Sequence, residues 1–178
     1  MDLLLFGGNS ARNKDWINLV ERKLSSEFTS ANVCVYEHWK IGDEFINLEK
    51  ELARLPSLTK NLGEYVIFAK SIGTILSMMA IQKGILNPKK CVYVGLPIRF
   101  VEQDKEIDLE KLILDNSAPS LFIQNTADPT APFMELENFI KDIPNTMNYL
   151  KELPGDTHNY DDLESMKDLV KSFVFESK

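Results

Sequence analysis

Positive charge is the scarcer sign in this chain: 20 Lys and Arg stand against 27 Asp and Glu, a net charge of -7 in 178 residues. No Lys/Arg cluster is longer than two, so the electrostatic footprint of a nucleic-acid binder is missing. Cysteine is nearly absent. Cys34 and Cys91 lie 57 positions apart, which gives no disulfide scaffold, and no CxxC pair suggests zinc. Each falls inside an apolar run, where a buried free thiol is expected. No apolar stretch approaches the ~20 residues needed to span a bilayer. The N-terminal Leu3-Leu4-Leu5-Phe6 run has neither a basic leader nor a cleavage site, so it reads as a first strand and the chain is expected in the cytoplasm. What is present is 44% hydrophobic residues, enough for a core, on a length that predicts one domain over residues 1–178.

Short apolar runs alternate with longer amphipathic ones. Leu3-Leu4-Leu5-Phe6, Val33-Cys34-Val35-Tyr36, Tyr65-Val66-Ile67-Phe68-Ala69, Cys91-Val92-Tyr93-Val94 and Ser120-Leu121-Phe122-Ile123 read as strands, with a short last one from Met147 to Leu150. Between them, Trp16, Val20, Leu24 and Phe28 recur every four positions, and Phe45, Leu48, Leu52 and Leu55 mark a helix stopped by Pro56. The stretch from Ile72 to Gln82 is apolar nearly all round and ends at Gly84, which predicts a helix buried on most of its surface. A crossover helix is expected around Leu109 to Leu114, and another carries Phe133, Leu136, Ile140 and Ile143 on one face. The last helix shows Asp161 three residues before Glu164, a capping-box spacing. Strands alternating with helices predict an α/β fold, a three-layer sandwich with a mostly parallel sheet of about six strands covered by helices on both faces. Such a sheet binds ligands at the carboxyl ends of its strands.

The residues at those ends carry chemistry. After the third strand the chain reads Ala69-Lys70-Ser71-Ile72-Gly73, a serine between a buried strand and a buried helix with small residues two positions either side. A nucleophile elbow needs that pattern, because the turn is tight and only small neighbours avoid collision; an ordinary serine N-cap is the alternative. Asp128 lies in a loop after the fifth of these strands, and His158 in a loop before the final helix. The order Ser, Asp, His is the one that strand–turn–helix hydrolases require.

On these residues the chain resembles the α/β-hydrolase superfamily, in a small form without a lid and without the first two strands of larger members. The resemblance implies acyl transfer through a covalent intermediate, with Ser71 as nucleophile, His158 as base and Asp128 as the acid that orients it. It implies an oxyanion hole made by the backbone N–H of Ile72 and by Gly8 or Asn9 in the Gly7-Gly8-Asn9-Ser10 turn. Neither a cofactor nor a metal is implied. Ala69 departs from the usual first glycine of the elbow, Phe6 from the histidine many relatives carry before the oxyanion glycine, and Asn125 from a glycine ahead of the acid. Asn125 is expected to tolerate the left-handed angles of that position.

The same stretch of chain carries other readings. Gly7-Gly8 as a phosphate loop lacks the full glycine fingerprint. Asp104 is a rival for the acid, Lys70 is expected to be solvated or ion-paired, and His38 to be a surface loop residue. Residues 95–118 leave little chain for a cap, so the site is expected to be shallow and open, walled by Leu96, Pro97, Ile98 and Phe100 with Pro132 and Phe133. Arg99 is a candidate partner for a substrate carboxylate, alongside Leu96 and Pro97 as binding residues, with an exposed surface arginine as the alternative. The function expected is hydrolysis of small carboxylic esters or thioesters. The same triad could serve an acyltransferase or peptidase, and a binding protein could retain the fold without turnover.

Overall fold

A computed structural model describes residues 1–104, 106–144 and 147–176; the last two positions of the expected 1–178 unit lie outside them. Six strands form one sheet: β1 (Asp2–Phe6), β2 (Ala31–Val33), β3 (Tyr65–Lys70), β4 (Lys90–Val94), β5 (Ser120–Asn125) and β6 (Asn148–Leu153). All pairings are parallel, in the order β2-β1-β3-β4-β5-β6. Strands β1, β3, β4 and β5 are buried almost throughout, as near-continuous Leu, Ile, Val and Phe runs require in a sheet covered on both faces. The helices are α1 (Arg12–Leu24), α2 (His38–Ile41), α3 (Leu48–Thr59), α4 (Ile72–Gln82), α5 (Ile98–Val101), α6 (Leu109–Leu114), α7 (Phe133–Lys141) and α8 (Leu163–Phe175). One group packs α1 against α8; another packs α4 between α3 and α6.

The strand order reverses between β1 and β3, and a parallel sheet opens a crevice at such a switch point. Register decides what stands there. Phe6 pairs with Ala69, so the Gly7-Gly8-Asn9 turn leaves β1 beside Ser71. Lys70 pairs with Val94, which puts Gly95 on the other flank. Helix α4 is the expected central helix, buried from Ile72 through Met78 and stopped by Gly84 at φ 70. Among the described residues no helix is long and apolar enough to cross a membrane.

Several local expectations shift, among them the last strand, which runs Asn148–Leu153 rather than from Met147 to Leu150, and the first helix, which stops at Leu24 before Phe28. The second strand ends at Val33 rather than Tyr36, although Cys34 still donates its N–H to Leu5 O at 2.8 Å. Helix α3 begins after Asn47, whose side chain caps Lys50 N at 2.9 Å, so Phe45 lies outside it. Pro56 does not stop that helix. Its missing N–H leaves Leu52 O without an intrahelical donor, but the hydroxyls of Ser57 and Thr59 bond back to Arg54 O and Leu55 O at 2.8 and 2.9 Å and the last turn continues. The final helix is capped by Asp162, which accepts from Ser165 N at 3.0 Å, not by Asp161 with Glu164. Both cysteines are free and buried, with burial raising each thiol to about 12.

Candidate active site

Ser71 joins β3 to α4 at φ 53 and ψ -127, a region that costs a non-glycine residue about 1–3 kcal/mol. The neighbours over-determine it. Ser71 N donates to Val94 O at 2.9 Å, and Ser71 O accepts from Thr74 N and Thr74 Oγ1 at 2.9 and 2.6 Å. Gly73 explains why the pattern needs a glycine there: a Cβ would sit 2.5 Å from Gly7 O and 2.9 Å from Phe6 Cβ. The helix therefore enters with its first turn against the β1 turn. Ile72 opens α4, so its N–H has no intrahelical acceptor and points with the helix N-terminus toward the crevice.

Asp128 is fully buried after β5, and His158 stands in the loop after β6. His158 Nδ1 lies 2.8 Å from Asp128 Oδ2 and 3.1 Å from Oδ1. That contact makes Nδ1 the protonated nitrogen and leaves Nε2 as the lone pair. Nε2 is buried without a hydrogen-bond partner and faces the cavity that Ser71 also lines. The Ser71 hydroxyl and Nε2 are not in hydrogen-bond contact, a gap common between nucleophile and base before a ligand arrives. Asp104 lines the same cavity, but among the described residues its carboxylate accepts from Glu106 N alone, and the carboxylate that engages the histidine is Asp128.

Two residues not picked out from the sequence hold the Asp128 carboxylate. Tyr160 donates its hydroxyl to Asp128 Oδ2 at 2.6 Å and accepts from Asn125 N at 3.1 Å. Thr130 donates to Asp128 Oδ1 from both its N–H and its hydroxyl, each at 2.8 Å. An Asp followed two residues on by an N–H donor is an Asx turn, so Asp128-Pro129-Thr130 carried a legible signal. Tyr160 carried none. It sits at φ 60, held there by Asp128 and by Trp16, whose indole N–H donates to Tyr160 O at 3.1 Å. Burial pushes Asp128 up, but the His158 hydrogen bond and charge, the Tyr160 hydroxyl and Thr130 N–H outweigh it, and the net direction is down. Gly95, at φ 62, passes so close that a Cβ would meet Tyr160 at 2.7 Å and His158 at 2.9 Å.

Solved structures of other proteins share this fold. Est1E from Butyrivibrio proteoclasticus with bound ferulic acid superposes with a TM-score of 0.74 at 20% identity, over 98% of this chain and 88% of that one. A pyrethroid hydrolase from Sphingobium faniae JZ-2 gives 0.67 at 12% identity, over 97% and 96%. CarC, a serine hydrolase involved in carbazole degradation, gives 0.67 at 11%, over 98% and 90%. No protein-family model matches the chain, and no curated relative matches it in sequence. The chain has the α/β-hydrolase fold.

Within the hydrolase fold the expected binding residues divide. The cavity holds about 270 Å³. Pro97 and Phe100 line it, but Leu96 and Ile98 are buried in the protein and Pro132 and Phe133 lie outside the lining. Leu96 donates its N–H to Gln124 Oε1 at 2.9 Å instead. Arg99 is also outside. Its guanidinium forks onto Glu135 at 2.6 and 3.1 Å, which occupies the group expected to meet a substrate carboxylate. The second wall is Phe45, Ile46 and Leu48; the sequence periodicity assigned Phe45 and Leu48 to a helix, and Leu48 opens it while Phe45 lies before it. Asn9 and Ile72 line the cavity with Ser71, and Gly8 is not part of its lining. Among the described residues, no three His, Cys, Asp or Glu side chains gather where a metal could sit.

Three further residues depart from expectation. Asn125 ends β5 without a left-handed turn; its amide donates to Thr157 O at 2.8 Å and packs on Gly155, stitching the acid loop to the histidine loop. His38 is buried, not a surface residue, because Asn9 O draws Nε2 to 2.6 Å and its ring stacks on Tyr36. Lys70 is 4% exposed rather than solvated or ion-paired. The strand alternation turns it away from the cavity, to Asn13 Oδ1 at 2.9 Å and over the Trp16 ring at 4.8 Å.

Burial lowers Lys70 to about 8, against the attraction of Asp128 and Asp161. The unfolded chain binds this proton more tightly, so stability rises with pH from about 8 to 10.5 and the penalty is fully present below that window. Lys70→Met is expected to gain about 1–3 kcal/mol at pH 7 and to abolish that rise, measured by urea unfolding at both ends of the window. Tyr160→Phe is expected to cost about 1–3 kcal/mol, because Asn125 N–H is left buried and unpartnered. Asp128 contributes stability that is present above its unfolded value of 3.8 and lost as pH falls through its lower folded value. The variant removes one group holding it down, so acid unfolding should begin at higher pH.

Proposed function

We propose that this protein is a serine hydrolase that cleaves small carboxylic esters or thioesters through an acyl-enzyme. The observation that carries the reading is His158. One ring nitrogen is bound to a buried carboxylate at 2.8 Å, and the other is unpartnered in the cavity that a strained serine lines. Ser71 Oγ attacks the ester carbonyl and passes its proton to His158 Nε2. Asp128 holds the tautomer and stabilises the imidazolium. The tetrahedral oxyanion accepts from Ile72 N–H and Asn9 N–H, which are fixed before the charge develops. His158 then protonates the leaving alcohol or thiol, and water repeats the sequence on the acyl-serine.

Support also comes from the fold neighbours, which include esterases and a serine hydrolase. An apolar cavity of about 270 Å³ suits the acyl or alcohol group of a mid-sized ester. The test is intact mass after brief exposure to a fluorophosphonate, followed by turnover on p-nitrophenyl esters and thioesters. One adduct mapped to Ser71 with steady hydrolysis is the expected result. A folded protein that takes up no probe overturns the reading in favour of a non-catalytic binding protein. Labelling without ester turnover would point to acyl transfer to another acceptor, or to peptide cleavage.

A further inference from the structure

Asn9 has every polar group but one tied down. Its carbonyl accepts from His38 Nε2 at 2.6 Å and from Trp39 Nε1 at 2.9 Å. Its side-chain oxygen accepts from Ile46 N at 2.8 Å, and its side-chain nitrogen donates to Glu44 O at 2.9 Å. Its backbone N–H donates none of the hydrogen bonds found among the described residues, and Asn9 lines the cavity beside Ser71 and Ile72. The carboxamide thus behaves as a peptide group would, pairing with a donor and an acceptor two residues apart. Asp could accept but not donate, and an apolar side chain could do neither.

The segment so gripped is the cavity wall. Phe45 and Ile46 line the cavity, and Phe45 is 62% exposed. On the other side, His38 and Trp39 are buried in a stack with Tyr36, whose hydroxyl bonds Gly7 O at 2.9 Å. Asn9 is therefore suspended between a rigid aromatic anchor and an adjustable substrate wall.

We propose that Asn9 is a positioning residue that couples occupancy of the Phe45–Ile46 wall to the oxyanion-stabilising N–H, so that the acyl group selected by the cavity is read out in kcat. The inference rests on the serine-hydrolase reading. An acyl group long enough to press on Phe45 and Ile46 seats the Asn9 side chain through residues 44–46, and with it the N–H on the same residue. An acetyl group leaves the wall unloaded. Because the N–H belongs to the backbone, removing the side chain keeps the donor and removes only its placement.

The experiment compares kcat and KM for p-nitrophenyl acetate and hexanoate in the wild type, Asn9→Ala, His38→Leu and His38→Gln. In the wild type, kcat should favour hexanoate. Asn9→Ala should lose about 10- to 100-fold in kcat on hexanoate, less than the ~100- to 1,000-fold of a deleted donor, and should flatten the chain-length dependence with KM little changed. His38→Leu should lower kcat on both esters, and His38→Gln, which keeps a donor near the Nε2 position, should recover most of it. If Asn9→Ala fails to fold, Asn9→Asp, which keeps the Ile46 bond and loses the Glu44 bond, carries the same comparison with a smaller loss. Ser71 labelling and hydrolysis with an unchanged kcat pattern in the variant overturns this inference and leaves the hydrolase reading standing, as does an effect confined to KM. A wild type that neither labels nor hydrolyses overturns the hydrolase reading itself.

Discussion

Ser71→Ala should reduce kcat for ester hydrolysis by about 10⁴- to 10⁶-fold while the protein stays folded. The size follows from the division of labour in such a site. Without the hydroxyl no acyl-enzyme forms, and His158 and Asp128 have no proton transfer to perform, so their contributions vanish with that of the nucleophile. Only binding and the oxyanion donors remain, and these act weakly on direct attack by water. The folding claim is equally definite. Ser71 Oγ takes part in no hydrogen bond among the described residues, so its loss leaves no buried partner unsatisfied. The backbone strain at φ 53 persists in alanine and is relieved in glycine. Ser71→Gly should be as inactive as Ser71→Ala and about 1 kcal/mol more stable. Parallel measurements of hydrolysis and urea unfolding on the three proteins check both. Wild-type turnover in either variant would remove Ser71 from the mechanism.

Gly73→Ala should be damaging out of proportion to one methyl group. The added carbon would lie 2.5 Å from Gly7 O and 3.0 Å from Phe6 O, both main-chain atoms of β1 and its turn. No side chain can rotate aside, so either α4 backs away from β1 or the turn lifts. Overpacking of this kind costs about 1–3 kcal/mol. The functional cost is larger, because the two candidate oxyanion donors sit on the two segments forced apart: Ile72 on α4 and Asn9 on the turn. Misplacement near 1 Å costs on the order of 100-fold in rate. The expected result is a modest fall in the urea midpoint with a fall in kcat of about 100-fold, and slower fluorophosphonate capture. A stable, fully active Gly73→Ala would mean that the turn and the helix do not jointly form the oxyanion site.

Much of this site could be read along the chain because its signals are local. A tight strand-to-helix turn restricts its own neighbours, so Ala69 and Gly73 announced the geometry around Ser71. Asp128 and His158 each followed a strand, and in a parallel sheet all such ends share one edge. The resemblance to the hydrolases then added the roles. The parts that could not be read are those in which a residue's partner is distant in sequence. Tyr160 reaches Asp128 across 32 positions, Asn125 reaches Thr157 across 32, and Asn9 reaches Ile46 across 37. Nothing in the spacing of these residues marks such contacts.

Lys70, His38, Arg99 and Phe45 mark the same boundary from the other side. A charged or polar side chain is expected at the surface on average, and for Lys70 and His38 the average failed because topology placed each under a neighbour, whereas Arg99 stays exposed. Lys70 follows the strand alternation that buries it beneath Trp16. His38 is drawn in by one main-chain carbonyl, and Arg99 is taken by Glu135, 36 residues away. Phe45 fits a helical period, but the Asn47 cap starts that helix two residues after it and leaves the ring on the cavity wall.

By itself, then, the sequence determined the alternation of strands and helices, the buried central helix, and three chemically matched residues at strand ends, because periodicity and turn sterics are properties of adjacent residues. Only the tertiary structure decided which loops touch, which carboxylate holds the histidine, what walls the cavity and how Asn9 is held. Those are set by register and packing, which bring together groups whose separation along the chain carries no information about their separation in space.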